Sequence, residues 1–421
     1  MHMWLEEEGC RDTMETTWLF NAPGQAMTRV EGKISHCHAQ LKWWSRVAIG
    51  NITQLLKEKK KKKKELLRKV EDEAIRGRSI NRVTRLKREI NDLLSKEEKM
   101  WKQRSRALWL HEGDKNTRYF HSRATHRYLR NKIEELENHL GERCVDENGI
   151  ANILVGFYQN LFASSSPNWI EEALEATPRV VIDEMNHELV AHFGRAEVDI
   201  ALNQMEPLKS PGPDGMPPLF YQQFWLIIGD EAIEVVLTCL NTGSILPLIN
   251  RTFITLIPKV KRPVRVSEYR QIALCNILYK LISKVLANRL KNILPCIISE
   301  SQSAFQSSKA IFDNILVAFE TLRHMKNQKS KKTGFMPMKL DMNKAYDRVE
   351  WSYLGKIMEK VGFCERWVSL VLECISMVYY SILVNGEPKG DIRPSRGLRQ
   401  RDPLSPYLFL LCSEGLNRML Q

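Results

Sequence analysis

The sequence predicts an α+β chain led by a long, basic helical segment, and three observations carry that reading. Its 421 residues, 43% hydrophobic and 27% charged, are enough to bury real cores in two or three domains. From Ile52 to about Lys99 the composition turns to Lys, Glu, Arg and Leu, with Leu66, Val70, Leu86, Ile90 and Leu93 near helical spacing. Further on, β-rich runs alternate with helical patterns, a mixture that indicates α+β layering.

The elements follow in order. Residues 1 to about 50 are Trp-rich, with a turn at Asn21-Ala22-Pro23-Gly24 and an amphipathic stretch toward Trp43 and Trp44. Ile52 to Lys99 reads as one or two long helices. Within it, Lys59–Lys64 is either a solvated helix face or a nuclear-targeting or phosphate-contacting patch. In Trp101–His121, Trp101, Trp109, Tyr119 and Phe120 alternate with Lys102, Arg104, Arg106, Arg118 and His121. Cations beside rings suit single-stranded nucleic acid, and aromatic core positions on a cationic helix would look the same. After the Ser164-Ser165-Ser166-Pro167 break, a helical stretch runs to about Leu208. Lys209–Gly215, KSPGPDG, then reads as a rigid turn in which Pro211 and Pro213 fix φ while Gly212 and Gly215 permit close backbone approach. Phe253–Ile257 is β-rich, with Tyr269–Leu274 as its expected hairpin partner. Ile277, Leu281, Val285 and Leu286 mark a helix to Leu294, and Ile311, Ile315, Phe319 and Leu322 mark another. In Phe335–Asp341 an alternating strand would put Met336, Met338 and Leu340 on a core face and Lys339 and Asp341 on a cleft face.

The net charge of +13 and pI near 9.2 point to an anionic partner, foremost the phosphates of nucleic acid. No apolar run approaches the roughly 20 residues that span a bilayer, and Met1–Gly9 is not a signal peptide. An intracellular protein without a membrane partner is expected, with the nucleus as the address that the lysine run would give. Nine scattered cysteines without a CxxC pair fit reduced thiols. The His36-Cys37-His38 run lacks the second cluster that a metal site would need.

SPGPDG, LIPKVKRP, YRQIALCN, LYKLISKVLANRLK, ISESQSAF, KLDMNKAYDRVEW and GLRQRDPLSPYLF occur in this order. With them the chain resembles the reverse transcriptase of plant LINE-type non-LTR retrotransposons. The resemblance implies right-hand polymerase fingers and a partial palm over 209–421, a helical connection over 131–208 and a helical basic linker over 21–130. Residues 1–20, with Met3–Trp18, look like the C-terminal end of an endonuclease domain.

It also implies roles. Asp341 matches the first metal-binding aspartate of a two-metal Mg²⁺ site, Tyr346 the bulky residue abutting the sugar, and Gln400 the glutamine beside the incoming nucleotide. Lys259 and Arg270 match the basic positions near the triphosphate. Arg396 and Arg399 would contact nucleic acid or brace the loop, and Asp347 would be structural. RNA template, DNA primer and deoxynucleoside triphosphates are the implied partners; the oligomeric state is not legible.

The chain departs from the family pattern in places. Arg401 stands where the family has Gly after its glutamine, Gln271 where it has Pro, Ser307-Ser308-Lys309 where it has Pro-Gly-Arg, and Pro337 interrupts the expected strand. Arg401 is expected to obstruct the approach of primer and nucleotide. The second acidic motif and the thumb would lie beyond Gln421. Polymerase activity of this chain alone is therefore not expected, and a non-catalytic nucleic-acid-binding remnant is the alternative function.

Overall fold

The computed structural model describes residues 2–70, 76–107, 117–300, 302–304, 309–327 and 336–420. They group into two compact units, which are taken in turn. The first comprises Met1–Glu134, Met205–Ala232 and Ile257–Val264; the second comprises Glu135–Gln204, Ile233–Leu256 and Arg265–Gln421.

In the first unit, helix α1 (Cys10–Trp18) packs on α2 (Ala26–Ala48). Val30, Ile34, Cys37 and Leu41 recur at alternating steps of four and three and form the buried stripe of α2. Buried Cys10, Met14 and Trp18 supply the facing stripe of α1. The basic segment resolves into two helices, α3 (Ile52–Val70) and α4 (Arg76–Ser105), packed on each other. Ile49, Ile52, Leu56 and Ile90 form their core, covered by Trp44, Leu93 and Leu94. Lys60, Lys61, Lys62 and Lys64 stay exposed while Lys59 pairs with Glu89. Helix α5 (Thr117–Asn131) then packs on α4.

The KSPGPDG turn closes on Gly215, whose φ of +71° lies in the left-handed region and whose Cα faces the His38 ring so closely that a Cβ would stand 2.4 Å from it. The glycine there is a packing requirement. The side chains of His36, Cys37 and His38 go separate ways: His36 stacks on Phe20 at 4.3 Å, Cys37 is buried, and His38 meets the turn. All nine cysteines are free thiols.

The second unit opens with a small hairpin, β1 (Leu136–Glu137) with β2 (Arg143–Cys144), and four helices: α6 (Glu147–Leu161), α7 (Ile170–Leu174), α8 (Asp183–Val190) and α9 (Arg195–Asn203). Helix α10 (Pro218–Thr242) belongs to both units and kinks at Phe224. Its sheet is built from β3 (Arg251–Pro258), β4 (Tyr269–Cys275), β5 (Tyr379–Val384) and β6 (Glu387–Ile392), in the order β4-β3-β5-β6. The two strands read from the sequence are thus neighbours. β3 runs parallel to β5, with Arg251 opposite Tyr379 and Thr255 opposite Leu383. β5 turns into antiparallel β6 through Asn385-Gly386, both at positive φ, the conformation a two-residue hairpin favours.

Helix α11 (Ile277–Ile297) is buried along most of its circumference and packs on α8, α9 and the last helix of the chain. After α12 (Ile311–Asn327) come α13 (Trp351–Val361), α14 (Glu365–Ser376) and α15 (Ser405–Leu420). Arg289 of α11 ties this helical layer together. Its guanidinium reaches Glu197 at 2.7 and 2.8 Å and the carbonyls of Leu189, Ala191 and His192 at 2.8, 2.6 and 3.2 Å, and it lies 3.6 Å over the Phe193 ring.

One expectation is corrected. The segment carrying Asp341 is not a strand: residues 336–342 form no regular structure, and Met336, Met338 and Leu340 are 80%, 72% and 62% exposed rather than core. A strand holds only where its backbone groups find a ladder partner, and Pro337 removes a donor; among the described residues this segment joins no sheet. Helix α12 forms as its periodicity predicts, but its apolar side chains do not face a core. Phe312, Ile315, Phe319 and Leu322 are all more than half exposed.

Burial alone would raise the Glu197 carboxyl, but hydrogen bonds from Arg289 and the Gly194 amide hold it below its ordinary value. A carboxylate depressed by folding adds stability above its unfolded pKa and loses it as pH falls through its folded pKa. Arg289→Met should therefore cost about 2–4 kcal/mol at neutral pH. The gap between wild type and Glu197→Gln should shrink below about pH 4, read by denaturant titration across pH.

Candidate active site

Asp341, Tyr346, Asp347, Arg396, Arg399 and Gln400, singled out by the sequence, lie on one loop, 395–402, and the segment 341–350 beside it. Backbone bonds join the two. Gly397 N–H donates to the Val349 carbonyl and Leu398 N–H to the Tyr346 carbonyl, both at 2.7 Å, and Trp351 Nε1 donates to the Gly397 carbonyl at 2.8 Å. Gly397 sits at φ +98°, where a Cβ would lie 2.9 Å from the Asp347 carbonyl oxygen, so only glycine allows the two backbones this approach.

Arg399 is 3% exposed, and its side chain is spent inside the protein. It pairs with Asp402 at 3.2 Å, donates to the Cys374 carbonyl at 2.6 Å and to Asn250 Oδ1, and lies 3.7 Å over the Tyr279 ring. Asp402 in turn accepts from Ser283 Oγ and, at 2.9 Å, from the Leu404 amide. Arg396 donates to the Leu161 carbonyl at 3.0 Å and pairs with Glu350 at 3.2 Å. Both arginines brace the loop, and for Arg399 its burial corrects the nucleic-acid contact expected of it. The Arg399 guanidinium, buried among a carboxylate, two amide oxygens and a ring, is not presented to a phosphate in solvent.

Glu350 was not singled out by sequence reading. It accepts from Ser164 Oγ at 2.5 Å, from the Ser165 amide and hydroxyl at 3.1 and 2.9 Å, and from Arg396. Burial would raise its pKa, but these donors hold it below the usual carboxylate range. The one available signal was the Glu before Trp351 in the KAYDRVEW run, which distance in sequence from Ser164 concealed.

Asp347 is 2% exposed and accepts on one oxygen, Oδ1, from Gln271 Nε2 of β4 and from Gln400 Nε2 at 3.3 Å. Burial and this carboxylate together push the Tyr158 phenol up. Tyr346 stacks on Phe409 of α15 at 4.8 Å, nearly parallel, and burial raises its phenol too. Beside this stack lies a mostly apolar groove of about 430 Å³, lined by Met342, Ala345, Tyr353, Phe409 and Leu416 among others. Asp341 is exposed at the edge of this region. Among the described residues no three His, Cys, Asp or Glu side chains converge as a metal site would require, so Asp341 alone does not amount to one.

The remaining predicted site residues are spread out. Lys259, just past β3, belongs to the first unit, and Arg270 is exposed on β4 in the second. In the basic segment Arg104 stacks on Trp101 at 5.1 Å, and Trp101 also meets His121 at 4.2 Å. Arg106 donates to the Leu208 carbonyl and, at 2.7 Å, to Ser210 Oγ. Arg118 is exposed and Lys102 half-buried, while Phe120 is core. Of these rings, Phe120 is core while Tyr119 is exposed. Trp109, Ser307 and Ser308 lie outside the described residues. Lys309, lacking the arginine fork, donates to the Glu300 and Gln302 carbonyls.

Comparison with known proteins bears on this arrangement. Residues 257–421, which include the loop and the segment beside it, match the family described as reverse transcriptase (RNA-dependent DNA polymerase). The chain is 28% identical over 313 residues to the transposon TX1 uncharacterized 149 kDa protein of Xenopus laevis, covering 74% of this chain and 24% of that protein. It is 26% identical over 278 residues to the Pol polyprotein of the type-2 retrotransposable element R2DM of Drosophila melanogaster, covering 64% and 26%. Residues 257–421 are a reverse transcriptase domain of the non-LTR retrotransposon kind. The chain spans about a quarter of the length of these two relatives. A further match, 62% identical over 39 residues, is to an uncharacterized mitochondrial protein of Arabidopsis thaliana, covering 9% of this chain and 32% of that protein.

Within the reverse transcriptase domain, Arg401 has φ +74°, a left-handed conformation that costs a side-chain-bearing residue roughly 1–2 kcal/mol. This is a physical reason for glycine at the position. Arg401→Gly should raise stability by about 0.5–1 kcal/mol, after the freer unfolded chain of glycine is subtracted. Gly397→Ala should lower it by about 1–3 kcal/mol. Urea titration of the two variants beside wild type checks both.

Proposed function

We propose that this chain supplies the nucleotide- and template-facing half of a reverse transcriptase active site from a LINE-type element of plants. The observation that carries the reading is the fixed juxtaposition of the Gln400 loop with the Asp341–Glu350 segment by backbone bonds at 2.7 Å, inside the matched residues. The short, high-identity match to an Arabidopsis protein supports the plant assignment.

On this reading Gln400 presents its amide beside the incoming deoxynucleotide. Tyr346, held rigid by its stack on Phe409, forms the wall against the sugar and leaves no room for a 2′-hydroxyl. Lys259 and Arg270, exposed near the ends of β3 and β4, attract triphosphate oxygens. Lys102, Arg104, Arg106 and Arg118 contact the template–primer backbone, with Trp101 as a stacking platform. Mg²⁺, when bound, would activate the primer hydroxyl and offset phosphate charge, with Asp341 as one carboxylate among those needed. Among the described residues no acidic cluster surrounds Asp341.

The same observation, with the net charge of +13, favours a second reading in which the chain binds nucleic acid without catalysis. The two separate in one experiment: primer extension on an RNA template with Mg²⁺ and deoxynucleotides, run beside Asp341→Ala and a binding titration over salt. Firm binding whose log affinity falls by about 0.7–0.9 per phosphate contact per log unit of salt is expected under both. Extension abolished by Asp341→Ala establishes the polymerase reading. Binding without extension leaves the second, and binding indifferent to salt contradicts both.

A further inference from the structure

The buried carboxylate of Asp347 is shared by two amides that the fold brings from distant places, Gln271 on β4 and Gln400 in the loop. Asp347 is 2% exposed and Gln271 8%, so neither serves solvent. Gln271 stands where the resemblance places a proline, a residue that could make no such bond. Among the described residues the Gln271 Oε1 has no hydrogen-bond partner and is buried, a cost that an apolar side chain would avoid. The polar side chain at this position is explained by what its amide nitrogen holds.

We infer that Asp347 is a positioning residue that sets the Gln400 amide for the incoming deoxynucleotide, and that Gln271 tunes this hold by competing for the same oxygen. The inference rests on the reading that places Gln400 beside the nucleotide. A carboxylate oxygen can accept two N–H donors, but each bond to a shared oxygen is weaker than one made alone. The backbone bonds of Gly397 and Leu398 already fix the loop against the 346–349 segment, leaving the Gln400 side chain as the adjustable part. An ionised Asp347 orients that amide by drawing its N–H inward, which determines what remains for a ligand. Removing Gln271's donor leaves Gln400 a larger share of the oxygen; neutralising Asp347 loosens both.

The test is binding of dTTP to the chain holding a chain-terminated DNA primer on an RNA template with adenine next, alongside the affinity for that primer–template. Asp347→Asn should weaken dTTP about tenfold, the worth of one hydrogen bond to a charged group, with primer–template affinity unchanged. In a Gln400→Met background the same substitution should have no further effect on dTTP. An equal loss in both backgrounds would mean a merely structural carboxylate and overturn the inference. Gln271→Met, which keeps length and burial, gives an independent arm should Asp347→Asn fold poorly. It should tighten dTTP by roughly threefold, and an unchanged or weaker affinity overturns the tuning role. If Gln400→Met alone leaves dTTP affinity intact, Gln400 does not face the nucleotide; the underlying reading falls, and the inference with it.

Discussion

The buried pairing of Arg399 with Asp402 is the constraint on which the candidate site depends. Two opposite charges, both about 3% exposed, are tolerable only because each has further partners: Asn250, the Cys374 carbonyl and the Tyr279 ring for the arginine, Ser283 and the Leu404 amide for the aspartate. Those partners come from the residue just before β3, the end of α14, α11 and the residue just before α15. The loop that carries Gln400 is therefore fastened from beneath to four elements, while its upper side bonds to the segment after Asp341. Strain at Arg401 persists because the residues on either side of it are so firmly held.

How much of this was legible in the sequence depended on whether the signal was local. The amphipathic character of α2 and the helices α11 and α12 follow from spacing alone, although the stripe that α2 buries was not named, and β3 and β4 follow from short β-rich runs bounded by turn residues. The glycine of the KSPGPDG turn was readable as a close approach, although its target, His38, was not. Arg399 misled because a charged residue in a polar loop normally faces water. Its burial is decided by Asn250 and Cys374, which no periodicity connects to it. Asp347 was expected to be structural, and nothing local in the sequence points to its two glutamine partners, which lie 76 and 53 residues away.

The segment before Asp341 shows the reverse error. Its alternation of Met and Leu with polar residues is a strand pattern, yet alternation describes side chains and says nothing of where backbone hydrogen bonds will go. Without a ladder partner among the described residues, and with Pro337 lacking a donor, the pattern does not become a strand. Helix α12 is the same lesson in helical form: intrinsic periodicity suffices to form it, while its apolar face finds no core.

The most direct test of this account is to measure stability and nucleic-acid binding together in Arg399→Met. If Arg399 braces the loop from inside, the unfolding free energy falls by about 3–5 kcal/mol, while the salt dependence of RNA–DNA binding by the folded variant keeps its wild-type slope. A slope reduced by about 0.7–0.9 with stability unchanged would mean that Arg399 meets a phosphate, and would contradict the account.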